Sequence, residues 1–215
     1  MLDRLGLASV PFVGVWLGES GNLVGAVRLA RGLLRSGMRT VLIVVTDAVP
    51  QRHGEFRAMP NGVTVNGDGA AACLASTALG EGYVLEGIGH AATPGAAQAQ
   101  RLTGLREYFR FMAGVRSALT QFSDVSGIRL DSYQWLVANN YSATTLDDFA
   151  DTAMIPRDRV FRGTIARHGH VFTADGLINL ADLHDGEAIN PGDRVLVLST
   201  GPFSWGVLGL RQIVK

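Results

Sequence analysis

The sequence has little of what staples, charges or anchors a chain. One cysteine, Cys73, stands among 215 residues, which excludes an intrachain disulfide and a thiolate zinc cluster. Lysine plus arginine equals aspartate plus glutamate at 19 each, so the diffuse attraction that draws basic proteins to nucleic acids or anionic membranes is missing. Apolar runs such as Val41-Leu42-Ile43-Val44-Val45 fall far short of the roughly 20 residues that span a bilayer. The first residues do not make the basic, apolar and small-residue pattern of a secretory signal. The expectation is a cytoplasmic protein with neither nucleic-acid nor membrane partners. What the sequence does have is apolar content: 47% hydrophobic against 18% charged, enough to bury a large core in one domain or two tightly joined halves. A small neutral or thioester-borne substrate suits such a chain better than a polyanion.

Periodicity divides the chain into alternating strands and helices. Residues 10–17 are apolar and β-rich and read as a buried strand, ending at Gly18-Glu19-Ser20-Gly21-Asn22. From 23 to 34, Leu23, Val27, Ala30, Leu33 and Leu34 recur at helical spacing with arginines opposite, and Ser36-Gly37 is a stop. Residues 40–46 are a continuous β-branched run of the kind covered on both faces, and 62–74 read as a further strand interrupted by Asn66-Gly67-Asp68-Gly69. Strand, helix, strand at this spacing predicts a right-handed parallel crossover and an α/β first half.

A strand over 82–90 and a Pro, Gly and Ala loop over 91–99 follow, placing the division between halves at 1–90 and 91–215. A helix over 105–122 carries an ordinary core stripe of Tyr108, Phe109, Met112, Val115, Leu119 and Phe122. The second half repeats the logic with strands at 133–138 and 194–199 and helices at 145–154 and 172–184. The likeness of residues 38–45 to 193–198 hints at duplication of one α/β unit.

The C-terminal third is the most specific part. Trp135-Leu136-Val137-Ala138-Asn139-Asn140, Ile155-Pro156-Arg157-Asp158-Arg159-Val160-Phe161, Arg167-His168-Gly169-His170, Ile189-Asn190-Pro191-Gly192-Asp193-Arg194-Val195-Leu196 and Gly201-Pro202-Phe203-Ser204-Trp205-Gly206 occur in this order. Upstream stand Asn66-Gly67-Asp68-Gly69-Ala70 and a helix ending Arg35-Ser36-Gly37. In order and near spacing these resemble the 3-oxoacyl-(acyl-carrier-protein) synthase III family. The resemblance implies a thiolase-like α/β fold of two similar halves, with mixed sheets and helices packed between and outside them. It also implies a first half lacking its initial strands, because the family carries a further α/β stretch before the segment matching Leu5-Gly6-Leu7.

The departures from the family pattern are informative. The family works with a Cys, a His and an Asn. Counting back without gaps from Ser36-Gly37 puts Ser20 at the Cys position, whereas counting forward from Pro11 puts Glu19 there. The His position falls on Asn139 and the Asn position, after Arg-His-Gly, on His170, so imidazole and amide have exchanged places. Gly201 matches a glycine whose N–H contributes to the family's oxyanion hole, while Pro202, replacing a neighbouring glycine, cannot donate. Cys73 lies outside the nucleophile position and reads as a small buried residue.

Ser20, His170 and Asn139 are chemically sufficient for acyl transfer. A serine opening a helix has its N–H and the helix dipole aimed where an oxyanion forms; His170 is the base, and Asn139 orients the imidazole or donates to the carbonyl. Against this stands the plain alternative that Ser20 only caps its helix. His168 and His170 lack a third ligand nearby, so no metal is expected. No cofactor is expected to be permanently bound, and coenzyme A or phosphopantetheine thioesters serve as substrates. Without the family histidine, decarboxylative condensation is disfavoured against transfer to an oxygen, nitrogen or water acceptor. The partners the resemblance implies are acyl-carrier protein or acyl-CoA and a second synthase-like chain, in a homodimer or heterodimer. The competing expectation is a catalytically silent subunit that supports an active synthase partner.

Overall fold

The computed structural model describes residues 2–16, 18–49, 57–59, 63–93, 104–186 and 188–213. Its longer elements are α1 (Asn22–Arg35), β1 (Thr40–Asp47), β2 (Gly69–Ser76), β3 (Gly82–Ala92), α2 (Leu105–Ser126), β4 (Trp135–Ala138), α3 (Ala143–Ala153), α5 (Asp175–Asp185), β5 (Arg194–Thr200) and β6 (Ser204–Ile213), with the single turn α4 (Ile165–His168) before α5. Two sheets result. One is a two-stranded ribbon of β1 and β2; the other runs β3-β6-β5-β4.

The four-stranded sheet is buried on both faces, which is why its strands read as near-continuous apolar runs. Leu136, Ala138, Leu196, Leu198 and Val207 face α2 and α3, meeting Met112, Val115, Leu119, Phe122, Leu146 and Phe149. The alternate residues Val137, Val195, Val197 and Leu208 face α1 and α5, meeting Leu23, Val24, Ala30 and Leu183. Ile43 and Val45 of β1 close that second core from the far side. The layers are therefore ribbon, α1 with α5, four-stranded sheet, α2 with α3. Close approach depends on small residues: a Cβ at Gly206 would lie 2.4 Å from Val24, and one at Gly114 would lie 2.2 Å from the Trp205 ring.

Several expectations change. Residues 10–16 form no strand; Phe12 and Trp16 stand 77% and 70% exposed, because no neighbouring strand among the described residues supplies a ladder for this segment. Leu17 lies outside the described residues. Among the described residues the expected parallel crossover around α1 is correspondingly absent, and β1 pairs antiparallel with β2 from Thr40 opposite Ser76 to Asp47 opposite Gly69. β2 begins at Gly69 rather than at 62, which itself lies outside the described residues, so Asn66-Gly67-Asp68 precedes the strand instead of interrupting it. β4 and β5 form the one parallel pair of strands among the described residues.

β3, assigned by sequence to the first half, pairs along its length with β6. It thus belongs to the second sheet, and a division at residue 90 falls inside that strand. The loop expected over 91–99 lies largely outside the described residues. Helix 172–184 starts later than expected: 172–174 form a 3-10 turn and α5 opens at Asp175.

Candidate active site

The carboxyl ends of β4 and β5 lie side by side, because their register pairs Ala138 with Leu198. The chain that leaves β4 carries Asn139 and Asn140, and β5 ends in Ser199 and Thr200. In open α/β sheets this edge is where ligands are bound. Two further segments converge on it, the 3-10 turn Glu19–Gly21 that opens α1 and the loop carrying His170.

Ser20 is the middle residue of that turn, in which Gly21 donates to the Gly18 carbonyl at 2.9 Å and Asn22 donates to the Glu19 carbonyl. The turn is held from outside as well. The Ser199 hydroxyl donates to the Ser20 carbonyl at 2.6 Å, and Thr173 Oγ1 donates to the Glu19 carbonyl at 3.1 Å. Glu19 takes φ +45, a left-handed conformation that non-glycine residues adopt at a cost.

His170 is positioned by its backbone. Its N–H donates to the Val65 carbonyl at 2.7 Å, and its carbonyl accepts from Gly67 N–H at 2.8 Å, so the 65–67 segment clamps the loop. Gly169, at φ +64, allows this clamp: a Cβ there would sit 2.2 Å from the Val65 oxygen. The structure places Ser20 Oγ 3.2 Å from His170 Nε2. On the other side of the ring, His170 Nδ1 is 2.5 Å from Asp175 Oδ2. A carboxylate can only accept there, so Nδ1 carries the proton and Nε2 is left as the acceptor for the serine hydroxyl.

Asp175 is fully buried. Its remaining acceptor capacity is met by Asn140 N–H at 2.9 Å, Val171 N–H at 2.8 Å and a longer contact with Asn139 Nδ2 at 3.4 Å. As the first residue of α5 it also lies at the positive end of that helix. A carboxylate so compensated holds a neighbouring imidazole in one tautomer and favours its charged form during proton transfer. The Tyr141 and Phe172 rings flank the imidazole at centroid distances of 5.1 and 4.9 Å. Burial pushes the Tyr141 phenol pKa well above its ordinary value, with the Asp175 and Glu19 carboxylates adding to the shift.

Of the residues singled out from sequence, Ser20 and His170 are brought together and Asn139 is placed beside them in a different part. The Asn139 oxygen accepts from Thr200 N–H at 2.7 Å, and its amide donates to the Phe172 carbonyl at 2.9 Å. It braces β5 and the Asp175 carboxylate and makes no hydrogen bond to the imidazole; Asp175 orients the ring. Gly201 packs against the turn, where a Cβ would lie 2.6 Å from the Gly18 oxygen, but its N–H donates to the Ser204 carbonyl at 2.7 Å. That leaves the Ser20 N–H and the α1 N-terminus, not Gly201, as the oxyanion donors to test.

Cys73 sits on β2 opposite Ile43 and packs into the core beneath the ribbon, where burial pushes its thiol pKa up. His90, whose sequence suggested no partner, meets Ser204 Oγ at 3.0 Å beside the same turn. Asp175 was the residue sequence reasoning missed. The available signal was an acid five positions after His170 at a plausible helix start, but the apolar pattern of 172–184 absorbed it into a helix interior.

Comparison with known proteins agrees with this architecture. Residues 124–211 match the family model of the 3-oxoacyl-[acyl-carrier-protein] synthase III C-terminal region. Among solved structures, ChlB3, described as an acyltransferase, superposes with a TM-score of 0.86 at 20% identity, covering 100% of this chain and 71% of ChlB3. The Pseudomonas aeruginosa 3-oxoacyl-(acyl carrier protein) synthase III superposes with 0.77 at 21% identity, covering 100% and 71%. Xanthomonas campestris OleA superposes with 0.76 at 16% identity, covering 98% and 68%. A search of curated protein sequences found no match. Residues 124–211 thus match the C-terminal region of 3-oxoacyl-(acyl-carrier-protein) synthase III, and the chain as a whole has the thiolase-like fold of these solved structures.

Proposed function

We propose that the chain is an acyltransferase that takes an acyl group from a coenzyme A or acyl-carrier-protein thioester onto Ser20 and passes it to an oxygen, nitrogen or water acceptor. The observation that carries this reading is the relay of Ser20, His170 and Asp175, joined at 3.2 and 2.5 Å. In the first half-reaction Ser20 Oγ attacks the thioester carbon while its proton passes to His170 Nε2. The tetrahedral oxyanion faces the Ser20 N–H and the start of α1, then collapses, and the departing thiolate takes the proton from Nε2. In the second, the acceptor gives its proton to Nε2 and attacks the serine ester, and Ser20 Oγ recovers the proton as it leaves. The names of two superposed proteins, an acyltransferase and a 3-oxoacyl-(acyl carrier protein) synthase III, are consistent with this chemistry. Asn139 is engaged with Thr200 and Phe172, and this favours acyl transfer over decarboxylative condensation.

The test is intact-protein mass spectrometry after incubation with acyl-CoA and acyl-carrier-protein donors, comparing wild type with Ser20→Ala, His170→Ala and Asp175→Asn. The expected result is an acyl adduct on wild type that is absent in Ser20→Ala. A folded wild-type protein that forms no adduct and shows no turnover with any donor sinks the proposal. It would put forward the second reading, a silent synthase-like subunit of an active partner, for which the exposed apolar residues Leu42, Val44 and Leu74 of the ribbon speak.

A further inference from the structure

Glu19 carries two costs at once. It holds a left-handed backbone, φ +45, where glycine or asparagine would be at ease. Among the described residues no group donates a hydrogen bond or an ion pair to its carboxylate, and burial pushes its pKa above the ordinary value. By contrast, the Asp175 carboxylate is sealed and ringed by N–H donors. Unrelieved backbone strain and an unpaired charge on an exposed residue next to a nucleophile mark a functional position.

The charge lies close enough to the site to act on it. The turn fixes Glu19 immediately before Ser20, its carbonyl is tied to Thr173 just beyond the base, and its carboxylate acts electrostatically on the buried Tyr141 phenol that stacks near His170. The groups hydrogen-bonded around Ser20 (His170, Asp175, Asn139, Asn140, Thr200 and Ser199) include no lysine or arginine to offset it.

Building on the acyl-enzyme reading, we infer that Glu19 is a specificity-determining residue that excludes acyl groups ending in a carboxylate and admits neutral ones to Ser20. An acyl tail on Ser20 that bears its own negative charge must lie near the uncompensated carboxylate of the adjacent residue, and like charges repel. A neutral tail meets no such barrier.

Paired aryl esters test this without a coenzyme A carrier: p-nitrophenyl butyrate against mono-p-nitrophenyl succinate, of similar length and differing in terminal charge. Wild type should prefer the neutral ester in kcat/KM by about tenfold or more, a preference that shrinks as salt is raised. In Glu19→Gln the ratio should fall toward unity and lose its salt dependence, chiefly through faster reaction of the anionic ester. Because both esters report on the same Ser20, a general disturbance of the turn cancels in the ratio. If Glu19→Gln does not fold, Glu19→Asn, neutral and suited to positive φ, carries the same comparison. A ratio and salt dependence unchanged by the substitution would overturn the inference while leaving the acyl-enzyme reading intact. Failure of wild type to react with either ester or with any thioester would overturn both.

Discussion

Asp175 completes the relay of which the sequence supplied Ser20 and His170. Asp175→Asn preserves volume but presents an amide to His170 Nδ1, so the ring can settle in the tautomer whose Nε2 carries the proton and cannot accept from Ser20. On the proposed acyl-enzyme reading, acylation of Ser20 should slow about 10⁴-fold, the effect of an Asp-to-Asn change in a serine-protease triad; stopped-flow acylation, with near-ultraviolet circular dichroism to confirm folding, measures it. Glu19 yields a second expectation, on stability. Its folded pKa lies above the ordinary 4.5, so the fold prefers it protonated: the penalty is absent below the unfolded value and grows as pH rises through 4.5 to the folded value. Glu19→Gln should therefore melt higher than wild type at pH 7, with the difference closing as pH falls below 4.5, read by thermal unfolding across that range. A gap independent of pH would show that the carboxylate's charge is not its source.

Among the elements, the loop ending α4 is the most exacting. Gly169 combines φ +64 with only 2.2 Å of room toward the Val65 oxygen, so Gly169→Ala must break the clamp that holds His170. The expected loss is about 1–3 kcal/mol of stability from the backbone alone, together with loss of Ser20 acylation, seen in urea unfolding and adduct formation on one preparation. α2 offers a control remote from the chemistry. Phe122 is fully buried against Tyr133, with Gly87, Gly89 and Gly209 giving its ring room, and Phe122→Ala should cost about 3–5 kcal/mol while the acylation rate of the folded fraction stays near wild type. The helices of both halves were legible because amphipathic spacing is a local property. Asp175 was hidden by the same rule: periodicity placed it inside a helix, and only the 3-10 turn 172–174 moves it to the first helical position, where its carboxylate turns back toward His170.

At the scale of the molecule, the ribbon's apolar face is uncovered among the described residues. Leu42 and Leu74 are cross-strand partners, and both are exposed together with Val44. Surfaces of this kind mark sites of association, and the homodimer or heterodimer that the family resemblance implies would need one. The double variant Leu42→Lys with Leu74→Lys should shift the protein toward monomer in light scattering at fixed concentration. An unchanged mass would place any assembly elsewhere.

The sequence by itself determined the α/β class, the positions of α1, α2, α3, β1, β3, β4 and β5 to within a few residues, and the resemblance of the C-terminal third to one family, because these rest on local periodicity and contiguous motifs; it offered no strand at β6 and began β2 seven residues early. It also brought Ser20 and His170 forward as a pair. Only the tertiary structure decided that Asp175, not Asn139, stands behind the imidazole, that Gly201 spends its N–H on Ser204, and that β3 joins the second sheet. The β3–β6 pairing joins segments more than 100 residues apart and leaves no trace in local pattern. The His170–Asp175 and Gly201–Ser204 contacts span only five and three residues, but they depend on a 3-10 turn and a tight connection between β5 and β6 that apolar periodicity does not register. Residues 10–16 show the converse: a β-rich run becomes a strand only where another strand offers it a ladder.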